Sequence, residues 1–522
     1  MRSERAARWS LVVASLGSSM AFIDSTVVNV ALPVMQRDLD VEVDLVQWII
    51  EAYALFLASL VLVGGALGDK FGRRRVFVTG VVIFAAASIG CGIAPSAMTL
   101  IVARSLQGFG AALLVPGSLA LISAAYPDRD ARGVAIGTWS AVSAVTTAIG
   151  PVAGGWVVTH ASWRWLFLFN VPIAIAVVAL AQLRVAETRD ETAKGKVDAL
   201  GAFLATMGLG LVVYALIDSG SGGGLGNPRI LSLLIGGSLT LVLFVVVEAR
   251  SRSPMMPLSV FRSRTFSGAN LLTLLLYAAL GGGLFFLPFN LIQVQRYSPA
   301  AAGAALLPFV VLISVMSRWA GGFAGRVGAR VPLVLGPVVA AGGFALLAIL
   351  GTGENYVRSF LPGIIMMGVG MGITVAPLTT AVMGSVNPDH AGVASGINNA
   401  VARAAGLLAI AALGVVLRAR FDAVLDRVLS VLSLSRPTAA IVDAERGKLG
   451  GADFGAINAP FREAVRDAFG RAYVAGFRAV MITCAALAVL GALGALLLVE
   501  APPKANRRQP AGGAAPSPTT NG

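Results

Sequence analysis

The arrangement of apolar residues restricts the fold of this chain more than any other feature. Fourteen apolar stretches of about 20 residues each, nearly free of charge, follow one another along the 522 residues. A helix of that length spans the hydrocarbon core of a bilayer, and weak alternating segments typical of a membrane β-barrel are absent from the sequence. Only 13% of the residues are charged and 57% are hydrophobic, which excludes an ordinary soluble protein. We predict an all-α polytopic membrane protein whose helices begin near Trp9, Leu45, Val76, Met98, Gly133, Trp163, Leu200, Ile230, Phe266, Ala301, Pro332, Phe360, Gly392 and Tyr473.

The charged residues lie mainly in alternate connections between these stretches. Basic clusters such as DKFGRRR (Asp69–Arg75) and RDAR (Arg129–Arg132) recur in every second loop, and the N-terminus adds further arginines. Lys and Arg of membrane proteins collect in cytoplasmic loops, so this distribution predicts a cell-membrane protein with both termini in the cytoplasm. It also accounts for the formal net charge of +14 without nucleic acid as a partner.

Residue groups that would support catalysis, a metal ion or direct use of ATP do not occur in the sequence. The two cysteines, Cys91 and Cys484, lie in apolar runs, and the two histidines, His160 and His390, lie far apart. A membrane-embedded enzyme would need a clustered nucleophile, histidine pair or metal set. A GxxxxGK[ST] pattern is absent as well. We therefore expect no enzymatic activity, no metal and no cofactor.

The segment GALGDKFGRRR (Gly65–Arg75) holds more chemistry than a short turn requires. Basic residues alone would set the orientation of the helices in the membrane. This role does not explain the presence of the acid or of the glycines. Glycine permits tight turns, and an acid among bases forms a charge-assisted network or binds the positive N-terminus of a helix. Such a contact can form in one conformation and break in another. We expect a conformational switch formed by Gly65, Asp69, Gly72, Arg73 and Arg74.

A second segment, GGFAGRVGAR (Gly321–Arg330), repeats this layout. Gly328 matches Gly72 and Arg330 matches Arg74. Internal repeats are typical of secondary transporters, whose substrate site lies between the halves. Because the copies follow the second and the tenth stretch, two helices are expected to be inserted between two six-helix halves.

These observations predict the domain organisation. One connection, 418–472, is long and carries apolar residues such as Phe421, Leu425 and Phe469 at helical spacing, which predicts amphipathic helices on the outer surface or on each other. The Pro-, Gly- and Ala-rich tail is expected to be disordered. The expected units are a cytoplasmic N-terminus (1–8), a six-helix bundle (9–185), two inserted helices (186–265), a second six-helix bundle with the external loop (266–500) and the tail (501–522).

Few ionisable residues lie inside the apolar stretches, and each is a functional candidate because placing it in a membrane is costly. Asp24 lies about 15 Å from the outer end of the first stretch, and Glu51 and Arg104 lie about 9 Å deep. These depths permit an acid–acid–base cluster that exchanges a proton, since burial favours a neutral carboxyl group and a nearby Arg favours the charged one. The alternatives are a static ion pair for Asp24 and an interfacial position for Glu51.

Several segments carry a resemblance to a known family. The loop Gly65–Arg75 resembles the signature loop of the major facilitator superfamily. FIDSTVVNVALP (Phe22–Pro33), ARSLQGFGAALLVPGS (Ala103–Ser118) and AIGPVAGGW (Ala148–Trp156) resemble first-, fourth- and fifth-helix motifs of its fourteen-helix drug:proton antiporters. The ordered set extends over nearly the whole chain, and the fifth-helix motif favours export over uptake.

The resemblance implies the major facilitator fold, with two pseudo-symmetric six-helix bundles, and proton-coupled efflux of amphiphilic drugs or antibiotics by alternating access. The partners would be protons, an amphiphilic small molecule and the lipid bilayer, and the protein would be monomeric. A transporter of a lipid or small metabolite and a transporter-like membrane sensor stay open as alternatives. The resemblance also implies that a bend in the fifth helix prevents leakage through the empty cavity. The alternative is that the same residues serve only close helix packing. These residues are Gly150, Pro151, Gly154 and Gly155.

Polar residues inside the stretches are candidates for the substrate cavity. Arg403 lies in the thirteenth stretch, and no acid in the C-terminal stretches is placed to pair with it. It could bind backbone carbonyls or an anionic part of the substrate, or serve a gate or packing role. At the position of Glu51 the family usually has an uncharged residue, so the resemblance implies no role for Glu51. The candidate cavity residues are Asn29, Gln107, Asn398 and Arg403.

Overall fold

A computed structural model of the protein describes residues 2–189, 198–221, 224, 226–251, 254–386, 391–432 and 434–500. Within these residues, 14 helices are long and apolar enough to cross a membrane. We label them in chain order α1 (Ala6–Leu39), α2 (Val43–Phe71), α3 (Arg73–Gly92), α4 (Ala97–Ala125), α5 (Ala131–His160), α6 (Trp165–Arg184), α7 (Ala199–Gly220), α8 (Pro228–Arg250), α9 (Arg264–Val294), α10 (Pro299–Ser317), α11 (Arg330–Ala348), α12 (Tyr356–Gly384), α13 (Val393–Leu429) and α14 (Phe461–Leu498).

Polar residues at the connections set where several helices begin. The Ser96 hydroxyl accepts a hydrogen bond from the Thr99 amide at 3.3 Å, which caps α4. Ser298 caps α10 in the same way through the Ala301 amide at 3.1 Å, and Pro299 follows at the first helical position, where a missing N–H costs nothing. Local sequence signals therefore explain why the chain turns back at these points.

Helices α1–α6 and α9–α14 form two bundles that follow one packing scheme. In the first bundle α4 packs against α2 and α3, and α1 packs against α5 and α6. In the second bundle α12 packs against α10 and α11, and α9 packs against α13 and α14. Each pair recurs eight helices later, so the halves are pseudo-symmetric, as the repeated segment predicted.

The two inserted helices lie along a seam between the bundles. Helices α7 and α8 pack on each other, and α7 also packs against α2 of the first bundle and α13 of the second. The rings of Trp48 in α2 and Tyr214 in α7 lie 6.0 Å apart. The insertion therefore covers the place where α2 and α13 meet.

Most of the predicted external loop 418–472 is helical in the part that the structure describes. One helix runs continuously to Leu429, and α14 begins at Phe461, before the predicted Tyr473. The apolar residues of this region lie on these extensions of α13 and α14. The extensions pack on each other, which is one of the two predicted arrangements, with the rings of Phe421 and Phe469 5.5 Å apart. The tail 501–522 lies outside the described residues.

A short segment between α13 and α14 joins the two bundles. It contains a helix, Arg436–Glu445, and a 3-10 turn, Arg446–Gly451. The ammonium group of Lys448 binds Asp40 of the first bundle and Glu445, each at 2.7 Å. Although burial opposes it, these carboxylates raise the pKa of Lys448 above its usual value. We call this side of the molecule the Lys448 end and the side with Gly65–Arg75 the Asp69 end.

Candidate functional site

A buried ion pair joins α1 and α4 inside the first bundle. Arg104 contacts the Asp24 carboxylate directly, and each residue is 1% exposed. The guanidinium also donates to the carbonyl oxygen of Ile49 in α2 at 3.0 Å and lies 4.3 Å from the ring centroid of Tyr53. Hydrogen bonds and a cation–π contact thus compensate the buried charges.

Gln107 completes this polar network. Its amide donates to Asp24 at 2.9 Å and to Ser88 of α3 at 2.9 Å, and its oxygen accepts from Arg104 at 2.7 Å. The residue is fully buried in this conformation, and its predicted place in the substrate cavity stays a prediction. Gln107 follows Arg104 by three residues and therefore shares its helix face. The sequence contains no pattern from which we predicted the involvement of Ser88.

Glu51 does not join this network, so the expected acid–acid–base cluster is wrong. Tyr53 faces Arg104, and a residue two positions away on a helix points to nearly the opposite side. Glu51 is completely buried inside the protein. Neither of its carboxylate oxygens has a hydrogen-bond partner in the described part of the chain.

The other candidate cavity residues form no hydrogen bond with Asp24 or Arg104 among the described residues. The Asn29 amide donates to the Ser25 carbonyl of its own helix at 3.5 Å. Asn398 in α13 binds Thr273 of α9 at 2.7 Å and therefore ties two helices of the second bundle. Arg403 is half-buried, and it forms no ion pair among the residues that the structure describes.

The loop between α2 and α3 forms two separate acid–base contacts. Asp69 pairs with Arg73 at 2.8 Å, one turn along. The N-terminus of α3 is bound by a different acid, Glu187, which accepts from the amides of Arg74 and Arg75 at 3.0 and 3.1 Å. Glu187 follows α6, and an acid within a basic connection was the only sequence signal for it.

Gly72 is required in this loop for two reasons. Its φ of +111° is unfavourable for residues with a side chain, and an added Cβ would lie 2.8 Å from the Glu187 carboxylate. Gly65, by contrast, has only an ordinary neighbour, Pro116, at 3.7 Å. The neighbouring Gly64 makes the close approach, since a Cβ there would overlap the Ala112 backbone of α4.

The repeated segment shares this geometry. Gly328 has a φ of +82°, like its match Gly72. Arg74 donates to the carbonyl oxygen of Val185, directly after α6, at 2.9 Å. Its match Arg330 donates to the carbonyl oxygen of Leu496 near the end of α14. The two arginines therefore tie equivalent helix ends in the two bundles.

The glycines of α5 lie between three helices. A Cβ on Gly150 would overlap Thr26, and one on Gly154 would lie 2.9 Å from the Val27 carbonyl oxygen, both in α1. One on Gly155 would lie 2.8 Å from Cα of Ala300 in α10, across the bundle interface. Close packing is thus part of what the motif does, and Pro151 lies within the helix at the same interface, beside Gly303.

No group of three or more His, Cys, Asp and Glu residues that could hold a metal ion occurs within the described ranges. The polar centre of the first bundle is therefore a network of one carboxylate, one guanidinium and one amide, with hydroxyl and carbonyl groups around it. The Cys91 thiol also contacts the Gln107 oxygen at 3.7 Å.

Comparison with characterised sequences gives a consistent set of relatives. The chain is 35% identical over 417 residues to multidrug resistance protein Stp of Mycobacterium tuberculosis, covering 80% of this chain and 77% of that protein. It is 37% identical to the puromycin resistance protein pur8 of Streptomyces alboniger, covering 78% and 81%. It is 31% identical to the tetracenomycin C resistance and export protein of Streptomyces glaucescens, covering 95% and 92%.

Solved structures support the same fold. A bacterial homologue of the human lysosomal transporter Spinster, in an inward-facing and unoccupied conformation, superposes with a TM-score of 0.65 at 16% identity and covers 94% of this chain and 98% of that one. The xylose transporter XylE from E. coli gives a TM-score of 0.55 at 13% identity, covering 95% and 97%. Residues 14–410 match the sequence profile of the Major Facilitator Superfamily. The chain therefore belongs to the Major Facilitator Superfamily of membrane transporters.

Proposed function

We propose that this protein exports amphiphilic drugs or antibiotics across the cell membrane in exchange for protons, by alternating access between its two bundles. The relatives are named for multidrug resistance, puromycin resistance and tetracenomycin C resistance and export, which supports export of drugs or antibiotics. The observation that carries the proton coupling is the Asp24–Arg104 pair, which is buried and reaches three helices of one bundle.

The pair supplies a way to couple proton binding to helix movement. While Asp24 is ionised, Arg104 and Gln107 hold it, and this contact ties α1 to α4. A proton on the Asp24 carboxylate removes the charge that attracts Arg104, while Arg104 keeps the Ile49 carbonyl and Gln107 as partners. Protonation thus weakens the tie between α1 and α4 without leaving the guanidinium unpaired.

The glycine contacts of α5 and the loop at the Asp69 end are the second part of the proposal. Gly155 and Gly303 let α5 and α10 approach across the bundle interface, which closes this part of the molecule. Asp69 pairs only within its own loop in this conformation, at Arg73. It acts as a switch by contacting the second bundle when the Asp69 end closes. We place that end and both termini in the cytoplasm, and the transporter acts as a monomer.

Two other functions compete with drug export. A transporter of a lipid or a small metabolite would use the same fold and the same alternating access. A membrane sensor would bind a ligand without moving it. In either kind of transporter, the half-buried Arg403 would bind an anionic group of the substrate. Transport must therefore be measured with cationic, neutral and anionic substrates.

The experiment is uptake into inverted membrane vesicles of a fluorescent monovalent cation, a neutral antibiotic, an organic acid and a labelled phospholipid. We expect uptake of at least one drug class when a pH gradient is imposed, and its loss when a protonophore collapses the gradient. Uptake that persists without any gradient contradicts proton coupling. Transport of the phospholipid alone supports the lipid alternative, and binding without uptake supports the sensor.

A further inference from the structure

Glu51 lies on the seam between the bundles, away from the Asp24 pair. It is fully buried, and its two carboxylate oxygens have no hydrogen-bond partner among the described residues. An ionised carboxylate in such surroundings is very costly, so the packing favours the neutral acid in this conformation. A transport mechanism built on Asp24 alone leaves this acid without a use.

The residues one turn away on α2 show what Glu51 faces. Towards the Lys448 end, Gln47 meets α13, where a Cβ on Gly414 would lie 3.3 Å from the Gln47 amide carbon. In the other direction, Leu55 belongs to an apolar cluster with Val213 of α7 and Leu407 of α13. Residues four apart share one helix face, so Glu51 faces the line where α2, α7 and α13 meet.

This line leads to the Lys448 end of the molecule. A cavity of about 10 Å³, the space of about one water molecule, lies there between the same three helices, with one residue each of α9 and of the segment between α13 and α14 also in its wall. Asp44 lies on the same face of α2 as Glu51, about 10 Å along the axis, with Gln47 between them. Polar groups therefore accompany the seam from this end towards Glu51. The cavity is lined by, among others, Asp44, Gln47, Ile217, Gly220 and Gly414.

We propose that Glu51 is a second proton-binding site that exchanges its proton with the Lys448 end along the α2–α7–α13 seam. A hydronium ion in the seam gives its proton to the Glu51 carboxylate, and the reverse step returns the proton to water. The inserted helix α7 closes the seam towards the lipid, which gives the insertion a function. The inference rests on the proposed proton coupling but uses another carboxylate and another route.

Other titratable groups on these helices leave Glu51 without a charged partner. Arg104 of α4 lies on the far side of α2, stacked on Tyr53. Within the described chain, no ion pair joins Glu51 to a base. The charged or titratable groups that the packed elements carry near the seam are Asp44 of α2, Tyr214 and Asp218 of α7, and Arg403 and Arg418 of α13.

The test uses dicyclohexylcarbodiimide, an apolar reagent that modifies protonated carboxyl groups in apolar surroundings. The full-length protein is labelled in right-side-out and inverted membrane vesicles whose two compartments are held at different pH, and the label is located by peptide mass spectrometry. Only the protonated Glu51 carboxyl group reacts. Above the midpoint of its titration, we therefore expect labelling of Glu51 to fall about tenfold for each unit by which the pH at the Lys448 end is raised. The pH of the other compartment should have no effect, and Glu51→Gln gives the background.

Two seam variants and one matched control test the route. A Cβ on Gly220 would lie 3.4 Å from Asp44, an ordinary contact, so Gly220→Leu extends into the cavity. Gln47→Leu removes the amide from the seam. The control is Gly236→Leu in α8, where an added Cβ meets nothing within 4 Å. After a pH jump, both seam variants should slow the change in Glu51 labelling several-fold, and the control should match the wild type.

Three results would overturn the inference. These are labelling at Glu51 no higher than in Glu51→Gln, labelling that follows the pH at the Asp69 end, and seam variants that respond as fast as Gly236→Leu. Failure of the proposed function is distinguishable, because it removes uptake driven by the pH gradient in the wild type. Carbodiimide labelling needs no transported substrate and does not depend on that uptake.

Discussion

Asp24 and Arg104 neutralise each other in a part of the molecule from which water is excluded. Both side chains are almost fully buried, and Gln107 binds both of them. Removing one partner of such a pair leaves an uncompensated buried charge. A substitution that keeps the shape of one of these side chains but removes its charge therefore isolates the effect of the charge.

The variant Asp24→Asn keeps the shape of the side chain and removes the titratable group. We expect the variant to insert normally and to lose uphill efflux completely, because no proton can bind or leave at this position. Downhill movement of substrate continues. The measurement is drug accumulation in cells together with uptake into inverted vesicles.

Asp38→Asn is the matched control, because Asp38 lies on the same helix but binds Trp163 and Arg164 near the end of the bundle. It should export the drug at the wild-type rate. Wild-type uphill efflux by normally inserted Asp24→Asn protein would show that Asp24 carries no coupled proton.

At the scale of elements, the connection between α2 and α3 and the glycine face of α5 control how helices meet. Both place backbone atoms so close to a neighbour that a side chain does not fit, at Gly72 and at Gly155. The Asp69–Arg73 contact is partly exposed, so it adds only about 0.2–1 kcal/mol to stability. Effects of these residues should therefore appear in the rates of conformational change.

Asp69→Asn is predicted to slow transport without weakening drug binding. Asp69 lies at the end of the bundle, in the turn that leads to α3, far from the buried ion pair. Turnover should fall at least about fivefold, since a coupling contact is typically worth about 1–3 kcal/mol. Equilibrium binding to detergent-purified protein and stopped-flow measurement of opening separate the two effects. A large loss of affinity with unchanged opening rates would contradict the prediction.

Gly155→Ala is predicted to separate α5 from α10. The added Cβ would overlap the Pro299 carbonyl oxygen in the second bundle, and overpacking of about 1–3 kcal/mol shifts the equilibrium towards the conformation in which this contact is open. Spin labels at Ala161 and Ser298 should report a larger separation than in the wild type. Gly137→Ala on the same helix is the control, because a Cβ there meets nothing within 4 Å. Identical distances in both variants would leave the motif without a role in closure.

At the scale of the whole molecule, the two bundles and the inserted pair place two buried carboxylates in different surroundings. Asp24 lies inside the first bundle, and Glu51 lies where that bundle meets α7 and α13. The number of protons moved in each cycle decides which gradient drives export. A charge that crosses the membrane gains about 2.3 kcal/mol per 100 mV, and a proton gains about 1.4 kcal/mol per pH unit.

Glu51→Gln is predicted to remove the voltage dependence of cation export. One proton exchanged for a monovalent cation moves no net charge, whereas two protons, on Asp24 and Glu51, make the exchange electrogenic. Export driven by a pH gradient should remain in the variant. The measurement is cation uptake into inverted vesicles with each gradient collapsed separately. A wild type that ignores voltage, or a variant that keeps the full response, would show that Glu51 carries no coupled proton.

Features that depend on local composition and on the bilayer can be predicted from the sequence alone. The number of spanning helices follows from the length of apolar runs, and the two related halves follow from the repeat around Gly72 and Gly328. An ion pair between Arg104 and Asp24 could be expected because each charge is costly inside an apolar stretch. Each spanning helix must be long and apolar enough to cross the bilayer, and this requirement can be recognised in the sequence without knowledge of the neighbouring helices.

The contacts between side chains of different helices become visible only in the folded molecule. Glu51 and Asp24 both lie in the outer half of their helices by the sequence prediction, but the rotation of α2 separates them, because it directs Tyr53 to Arg104 and Glu51 to the seam. Glu187 reaches the N-terminus of α3 across 113 residues of sequence. Depth in the membrane is set by composition, whereas the direction of a side chain about its helix axis is set by packing against helices distant in the chain.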